Sequence, residues 1–460
     1  MAIDSIAVLP FVNQSRDPDT EYLSDGLTES IINSLTQLPS LRVSPRSSVF
    51  QYKGKDTDPL KAGHDLSVRA VLTGRLLQRG DSLMVSAELL DVRDDKQIWG
   101  EQYNRKLADA LAVQQEISRE ISGRLRTKLS GEEQWQLTRR DTSNPDAYQF
   151  YLKGRFYWNK RTAEGLKKAI EQFQLAADKD PTYALAYVGL SDCYALLEQY
   201  AGSPSSETLP KARAAAVRAL QIDDSLAEAH ASLAYINENS WQFGEAEREY
   251  KRGIELNPNY GTAHMWYSAY LRMVGRPDEA MVEIQRAQQL DPLSPIISSN
   301  VGNFYIFKGD LNTAIAEEKK VIELDPNFPF AHAYLGMAYL KQGREQEAIA
   351  ELKKAAELSG RASQELGFLG YGYGALGKRA EAMAVLRELE ERYARRESPA
   401  MFLAAVYAGL GERDQAFAWL ERDFRARTGL LSFIAFLPPY DTLQDDPRYA
   451  GLLRRTGLRP

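Results

Sequence analysis

Imidazoles, thiols and glycine-rich turns are the groups in this sequence that could do chemistry. Four histidines are present, His64, His230, His264 and His332, and three of them invite a metal reading. Their spacing argues otherwise. His264 follows His230 by 34 residues, and His332 follows His264 by twice that interval. Side chains recurring at one fixed interval occupy one equivalent place in successive structural units. Neighbouring units then hold them roughly 10 Å apart, too far to share an ion. Packing within each unit is the expected role, and no metal site is expected. Cys193 is the only cysteine, so neither an intrachain disulfide nor a cysteine zinc site can form. It falls on an apolar helical face with Tyr187, Leu190 and Tyr194, which suits a small core residue better than a nucleophile.

Gly372-Tyr-Gly374-Ala-Leu-Gly377 has the GxGxxG spacing of a dinucleotide turn, but that turn must follow a strand and open a helix. Here Gly377 belongs to a repeating set of turn glycines, described next. Lys53-Gly-Lys-Asp56 lacks the upstream glycine and the Ser/Thr of a phosphate loop, and no kinase catalytic loop or DFG triplet occurs. No enzyme activity and no cofactor are expected.

The elements that carry these residues repeat. Ala212, Ala246, Ala280, Ala314, Ala348, Ala382 and Ala416 lie 34 residues apart, as do Gly275, Gly309, Gly343, Gly377 and Gly411. Pro258, Pro292 and Pro326 keep the same interval. The small residue suits the crossing of two helices, the glycine a turn at positive φ, and the proline a stop after the second helix. The 34-residue helix–turn–helix pattern resembles the tetratricopeptide repeat (TPR) family. A first unit from Ala147 to Pro181 carries Gly154, Tyr157, Ala169, Phe173 and Ala176. Ala212 follows Ala169 by 43 residues, and the excess maps to the Gly/Ser/Pro-rich stretch Glu198–Thr208, which reads as a long inter-helix loop. About eight repeats are expected over residues 146–425, and residues 426–460, with Pro438-Pro439, read as a capping segment.

Residues 1–106 lack the repeat and read as an α/β domain. Ile6–Phe11 is a buried strand, and Leu23, Leu27, Ile31, Leu35 and Leu38 mark an amphipathic helix stopped at Pro39. Leu41–Ser44 is a second strand and Leu60–Leu66 a short helix; Ala70–Gln78 and Leu83–Val92 form a hairpin about Arg79-Gly80-Asp81, with Gln97–Tyr103 as the last strand. The fold class expected is therefore an α/β amino-terminal domain with an antiparallel edge, then an all-α TPR solenoid. A charged helical linker spans residues 107–145. Ile6-Ala-Val-Leu-Pro-Phe-Val-Asn13, Asp25-Gly-Leu-Thr-Glu29, Tyr52-Lys-Gly54 and Ile98-Trp-Gly-Glu-Gln-Tyr-Asn-Arg105 resemble the TolB-amino-terminal-like domain. That resemblance implies the non-catalytic half of a bacterial signalling protein, similar to those of membrane-anchored serine/threonine kinases, adenylate cyclases and winged-helix regulators.

In a TPR stack the first helix of each pair lines a concave groove. Its inward positions here are Tyr148, Tyr151, Arg155 and Trp158 in the first unit, then Tyr235, Asn239, Met265, Arg272, Met273, Asn303, Phe307, Met337, Lys341 and Tyr371. The set is rich in aromatics and Met with a few polar groups, which suits a protein or peptide ligand. The Lys/Asn cluster of chaperone-type TPRs, which clamp a terminal carboxylate, is not evident. The expected function is a protein-interaction scaffold or sensor module; the alternative is a small-molecule or glycan sensor without catalysis. A net charge of −6 argues against a general nucleic-acid binder. No apolar run is long enough for a membrane span and no signal peptide is evident, so a complete chain is expected in the cytoplasm. As part of a membrane-anchored kinase or cyclase it is expected outside it.

Overall fold

The computed structural model describes residues 3–15, 17–38, 41–124 and 142–458. The chain divides into two compact units. The first comprises residues 1–193, 215–229 and 252–260, and the second the remainder.

The first unit begins with a sheet. Strands β1 (Ser5–Val8), β2 (Val12–Asn13), β3 (Arg42–Val43), β4 (Ala70–Arg79), β5 (Ser82–Asp91) and β6 (Lys96–Lys106) form it in the order β3-β1-β4-β5-β6, with β2 also on β4. β1 runs parallel to β3 and β4, while β4, β5 and β6 are antiparallel. β1 is buried on both faces, as its continuous apolar run requires. The expected single strand over Ile6–Phe11 is broken at Leu9-Pro10, because proline cannot donate to the ladder.

Helix α1 (Glu21–Thr36) buries Leu23, Leu27, Ile31 and Leu35, and Pro39, its expected stop, lies outside the described residues. Two short helices, α2 (Arg46–Phe50) and α3 (Pro59–Asp65), follow. Helix α4 (Ala110–Arg124) falls in the stretch expected to be a linker, yet Val113, Ile117 and Ile121 are buried and Gln114 Nε2 donates to Ser34 Oγ of α1 at 2.9 Å. Its apolar residues recur every four positions, so it packs as part of the domain. The rest of the expected linker helix, to Arg140, lies outside the described residues.

Sixteen helices then fall into eight pairs. Their first helices (A) are Pro145–Trp158, Ala184–Ala201, Ala227–Asn239, Gly261–Met273, Pro295–Lys308, Pro329–Lys341, Ser363–Ala375 and Met401–Gly409. Their second helices (B) are Ala163–Lys179, Ser205–Ile222, Phe243–Leu256, Pro277–Leu290, Leu311–Leu324, Glu345–Leu358, Arg379–Ala394 and Arg413–Ala426. All seven register alanines are 0% exposed, and Gly275, Gly309, Gly343, Gly377 and Gly411 all turn at φ between 71° and 79°. Gly377 is thus an inter-helix turn, not a dinucleotide turn.

Repeat 2 differs from expectation. Its nine extra residues do not make a long loop; they lengthen both helices, leaving only residues 202–204 between them. The first breaker is Gly202 at φ +65°, and the extensions bury Leu197, Thr208 and Leu209.

Replacing Ala314 with leucine adds three methylene-sized groups at a fully closed helix crossing. The expected cost is about 1–3 kcal/mol, read as a lowered denaturant midpoint. An unchanged midpoint would mean the crossing is not where the register puts it.

Candidate protein-interaction groove

The four expected groove residues of repeat 1 belong to a different structure. Arg155 does not line an open groove. Its Nε donates to Glu29 Oε1 of α1 at 2.7 Å and its Nη2 lies 2.5 Å from the same oxygen. Asn159 Nδ2 donates to Glu29 Oε2 at 2.8 Å, and Arg46 Nε sits 2.9 Å from it. Burial alone would raise the Glu29 carboxyl, but the two guanidinium charges overcome that and hold it below its usual range. Around this pair the helices touch: a Cβ on Gly26 would come within 2.8 Å of the Leu152 side chain, and Lys153 Nζ stands 4.9 Å over the Tyr22 ring. Tyr148 is buried, Tyr151 packs on Phe173 and Tyr183, and Trp158 is sandwiched by Arg155 and Arg161. Arg155, Asn159, Leu152 and Lys153 dock the α/β domain onto the first repeat, while Tyr148, Tyr151 and Trp158 pack within the repeats.

The second unit holds the other ten. After the last repeat helix the chain turns back and lays residues 428–443 against helices A of several repeats, as two 3-10 segments, Gly429–Ala435 and Pro438–Leu443. We call this segment the strap. Gly429 N–H donates to Ser205 Oγ at 3.0 Å, and Ser205 Oγ–H donates to Glu198 Oε1 at 2.6 Å, both on repeat 2. Gly429 must be glycine or shift, because a Cβ there would lie 2.9 Å from the Asn239 side chain. Phe436 lies against Arg272 of repeat 4, with Arg272 Cζ 4.3 Å from its ring centre. Asp441 pairs with Lys341 of repeat 6, and Tyr440 O–H donates to the Met401 carbonyl at 2.7 Å. Leu430, Leu431, Ile434, Leu437 and Leu443 are buried in one apolar cluster with Met273, Met337 and Tyr371.

The strap changes what the expected residues can touch. Met273, Met337 and Asn303 are fully buried, and Tyr235, Asn239, Arg272 and Tyr371 nearly so. Tyr235 packs on Trp266 with the rings tilted by 34° and their centres 5.0 Å apart, and Asn239 Nδ2 donates to the Tyr235 carbonyl. Met265 and Phe307 are half-buried and Lys341 is exposed. The expected cap is therefore two things. Helix Pro447–Thr456 covers the last pair, with Arg455 on Glu421 and Arg448 on Asp414, while the strap fills the groove. The signal for this was in the sequence. Gly429-Leu-Leu-Ser-Phe-Ile-Ala-Phe-Leu437 is almost wholly apolar, more so than a surface cap requires.

The repeated histidines pair within their own repeats. Nδ1 of His230, His264 and His332 lies 2.6, 2.5 and 2.6 Å from Glu249, Glu283 and Glu351, each pair 19 residues apart. Among the described residues no group of three or more metal-ligating side chains converges.

Residues 302–343 and 329–362 match family models described as TPR repeat and Tetratricopeptide repeat, and the other helix pairs continue the same helix–turn–helix pattern. Residues 2–120 match the model of the HilA/YgeH-like transcriptional regulator, second domain, a description different from the TolB-like one expected. A Rhizobium meliloti (strain 1021) protein named "Putative adenylate cyclase 3" is 35% identical over 233 residues, 50% of this chain and 39% of its own length. Transcriptional regulator HilA of Salmonella typhimurium is 22% identical over 290 residues, 63% of this chain and 51% of its own length. The chain thus spans about two fifths to one half of the curated relatives it matches. Among solved structures, Pseudomonas aeruginosa pilF is 21% identical with a TM-score of 0.37, covering 47% of this chain and 93% of that one. YrrB, described as a TPR protein with an unusual peptide-binding site, is 22% identical with a TM-score of 0.28, covering 40% and 91%. Among the described residues no helix is long and apolar enough to cross a membrane. The tetratricopeptide array supports a protein-interaction scaffold.

Proposed function

We propose that this chain is the partner-binding module of a bacterial signalling protein, and that it takes a peptide segment along the groove of repeats 2 to 7. One observation carries the reading: the strap is itself a peptide held there in cis. Large apolar side chains fill the space between helices, a backbone N–H is captured at Ser205, and an aspartate is paired at Lys341. These are the contacts a peptide makes in trans. The domain carrying Glu29 is fixed to repeat 1. The relation to a protein named as an adenylate cyclase favours a signalling context for the full-length protein.

The test is selection of binders from a random peptide library on the whole chain, then titration calorimetry on variants. Tyr235→Ala and Phe307→Ala are each expected to weaken a selected peptide by about 1–3 kcal/mol, since a few large side chains dominate such surfaces. Removing the Lys341 charge should act mainly on salt dependence and association rate. Normal binding by the groove variants, with loss in a folded Trp99→Ala variant of β6, would move recognition to the α/β domain.

A further inference from the structure

The strap leaves one group of the groove badly served. Arg272 is 4% exposed, yet its Nε and Nη1 have no hydrogen-bond partner among the described residues. Among the described residues no carboxylate pairs with it. Its neighbours are the faces of two rings, Phe436 of the strap at 4.3 Å and Phe304 at 5.7 Å, together with the Tyr334 hydroxyl. Burial pushes the guanidinium down to about 10. Asn303, fully buried, lies within hydrogen-bonding reach of the same hydroxyl. Cation–π contact offsets part of the lost hydration of a buried guanidinium, but a planar five-donor group is matched by a carboxylate, not by a ring face. Buried polar groups left unsatisfied in a native structure call for an explanation, and burial of an unpaired charge is the costliest kind.

We propose that the strap is an exchangeable occupant of the groove, and that the partner which displaces it carries apolar anchors and one internal acidic side chain set over Arg272 where Phe436 now lies. This deepens the peptide-binding reading above and rests on it. The strap supplies everything such a ligand needs except the countercharge. It has leucines and an isoleucine between the helices, a captured N–H at one end and an acid on Lys341 at the other. Glutamate is smaller than phenylalanine and reaches the same place. A ligand with a carboxylate there gains a charge-assisted, forked hydrogen bond that the strap lacks. The strap has the advantage of being tethered, at a high effective concentration. A trans ligand therefore needs such an additional contact to win.

The probes are two labelled synthetic peptides covering residues 428–444, one unaltered and one carrying F436E. They are titrated by fluorescence anisotropy into the whole chain and into its Arg272→Met variant. Arg272→Met removes a buried unpaired charge, so its unfolding midpoint is expected to stay level or rise, which establishes that it is folded. The F436E peptide is expected to bind the natural chain about tenfold or more tightly than the unaltered peptide, and R272M to erase that difference. Hydrogen exchange should show the amides of residues 429–437 losing protection when the F436E peptide is bound. Equal binding of the two peptides, no binding of either, or a strap that keeps its protection in the complex would each overturn the proposal. A library-selected peptide that still responds to Tyr235→Ala and Phe307→Ala would then leave the peptide-binding reading standing without it.

Discussion

Replacing Glu29 with alanine is expected to cost the first unit about 3–5 kcal/mol, because it strands two guanidinium groups that this one carboxylate neutralises. Arg155 is deeply buried, pairs with Glu29 at hydrogen-bond distance, and its charged form is further favoured by the Asp192 charge. Arg46 shares the other oxygen, but its side chain keeps 27% exposure and stacks 3.7 Å over the Phe50 ring. The asymmetry makes a sharper expectation than the loss itself. Arg46→Ala, at the half-exposed end, should cost about 1 kcal/mol or less, while Glu29→Ala removes the centre of the network. Denaturant unfolding of the three proteins gives the comparison. A Glu29→Ala chain as stable as the natural one would mean that water replaces the carboxylate and that the domain is not fixed to repeat 1 by this contact.

That pair also shows where reading the sequence stops. Local periodicity sets helices, turns and crossings, and those were legible. The alanines and glycines at 34-residue spacing are crossings and turns, and the leucines of α1 are its buried face. The hairpin around Gly80 follows from two alternating runs and a turn. Which charge meets which is a different kind of information. Arg155 sits at a proper inward position of its helix, and nothing near it in sequence tells that its partner is Glu29, 126 residues away. The same holds for the groove. Helical spacing identifies the face of each helix A, but not that a segment beyond the last repeat returns to fill it. The apolar character of residues 429–437 hinted at burial without saying where. In repeat 2, counting residues located the nine-residue excess but could not divide it between loop and helix. Gly, Ser and Pro suggested a loop, while the burial of Leu197 and Leu209 favoured two more helical turns. Period alone places the histidines, and their glutamate partners, 19 residues on in each case, carry the same period.

Raising the pH from 5.5 to 8.5 is expected to destabilise the second unit, the reverse of what paired surface carboxylates would do. Five acids there, among the described residues, are buried without a countercharge. Burial lifts Glu318 well above its usual range, Glu198 and Glu238 from 4.5 to about 8, Glu365 from 4.5 to about 7, and Asp423 from 3.8 to about 6. Around Glu198 stand Ser205, the Gly429 and Leu430 N–H groups, and Asp423, whose charge adds to the rise. Glu238 accepts from the Tyr250 hydroxyl at 2.8 Å, and Asp423 accepts from the Ala400 and Met401 N–H groups and the Thr428 hydroxyl. An acid whose folded value is raised keeps its proton in the native state while the unfolded chain has lost it. The native state therefore binds more protons between the unfolded and folded values, and stability falls as pH climbs through that window. His332, raised by its hydrogen bond to Glu351, acts in the same direction. The acids held low by arginine, Glu247 and Asp446 among them, titrate below this range and leave the sign unchanged. Each fully engaged acid contributes a slope of about 1.4 kcal/mol per pH unit, so the summed loss over the range is expected to be on the order of several kcal/mol. Denaturant midpoints at pH 5.5, 7 and 8.5 measure it. Glu198→Gln, which stays neutral and keeps the acceptor for Ser205, should flatten part of the slope and slow the pH-driven loss of amide protection at Gly429 and Leu430. Stability that is flat or rises with pH would show that these carboxyls are hydrated and charged, and that the strap is not anchored on a protonated Glu198.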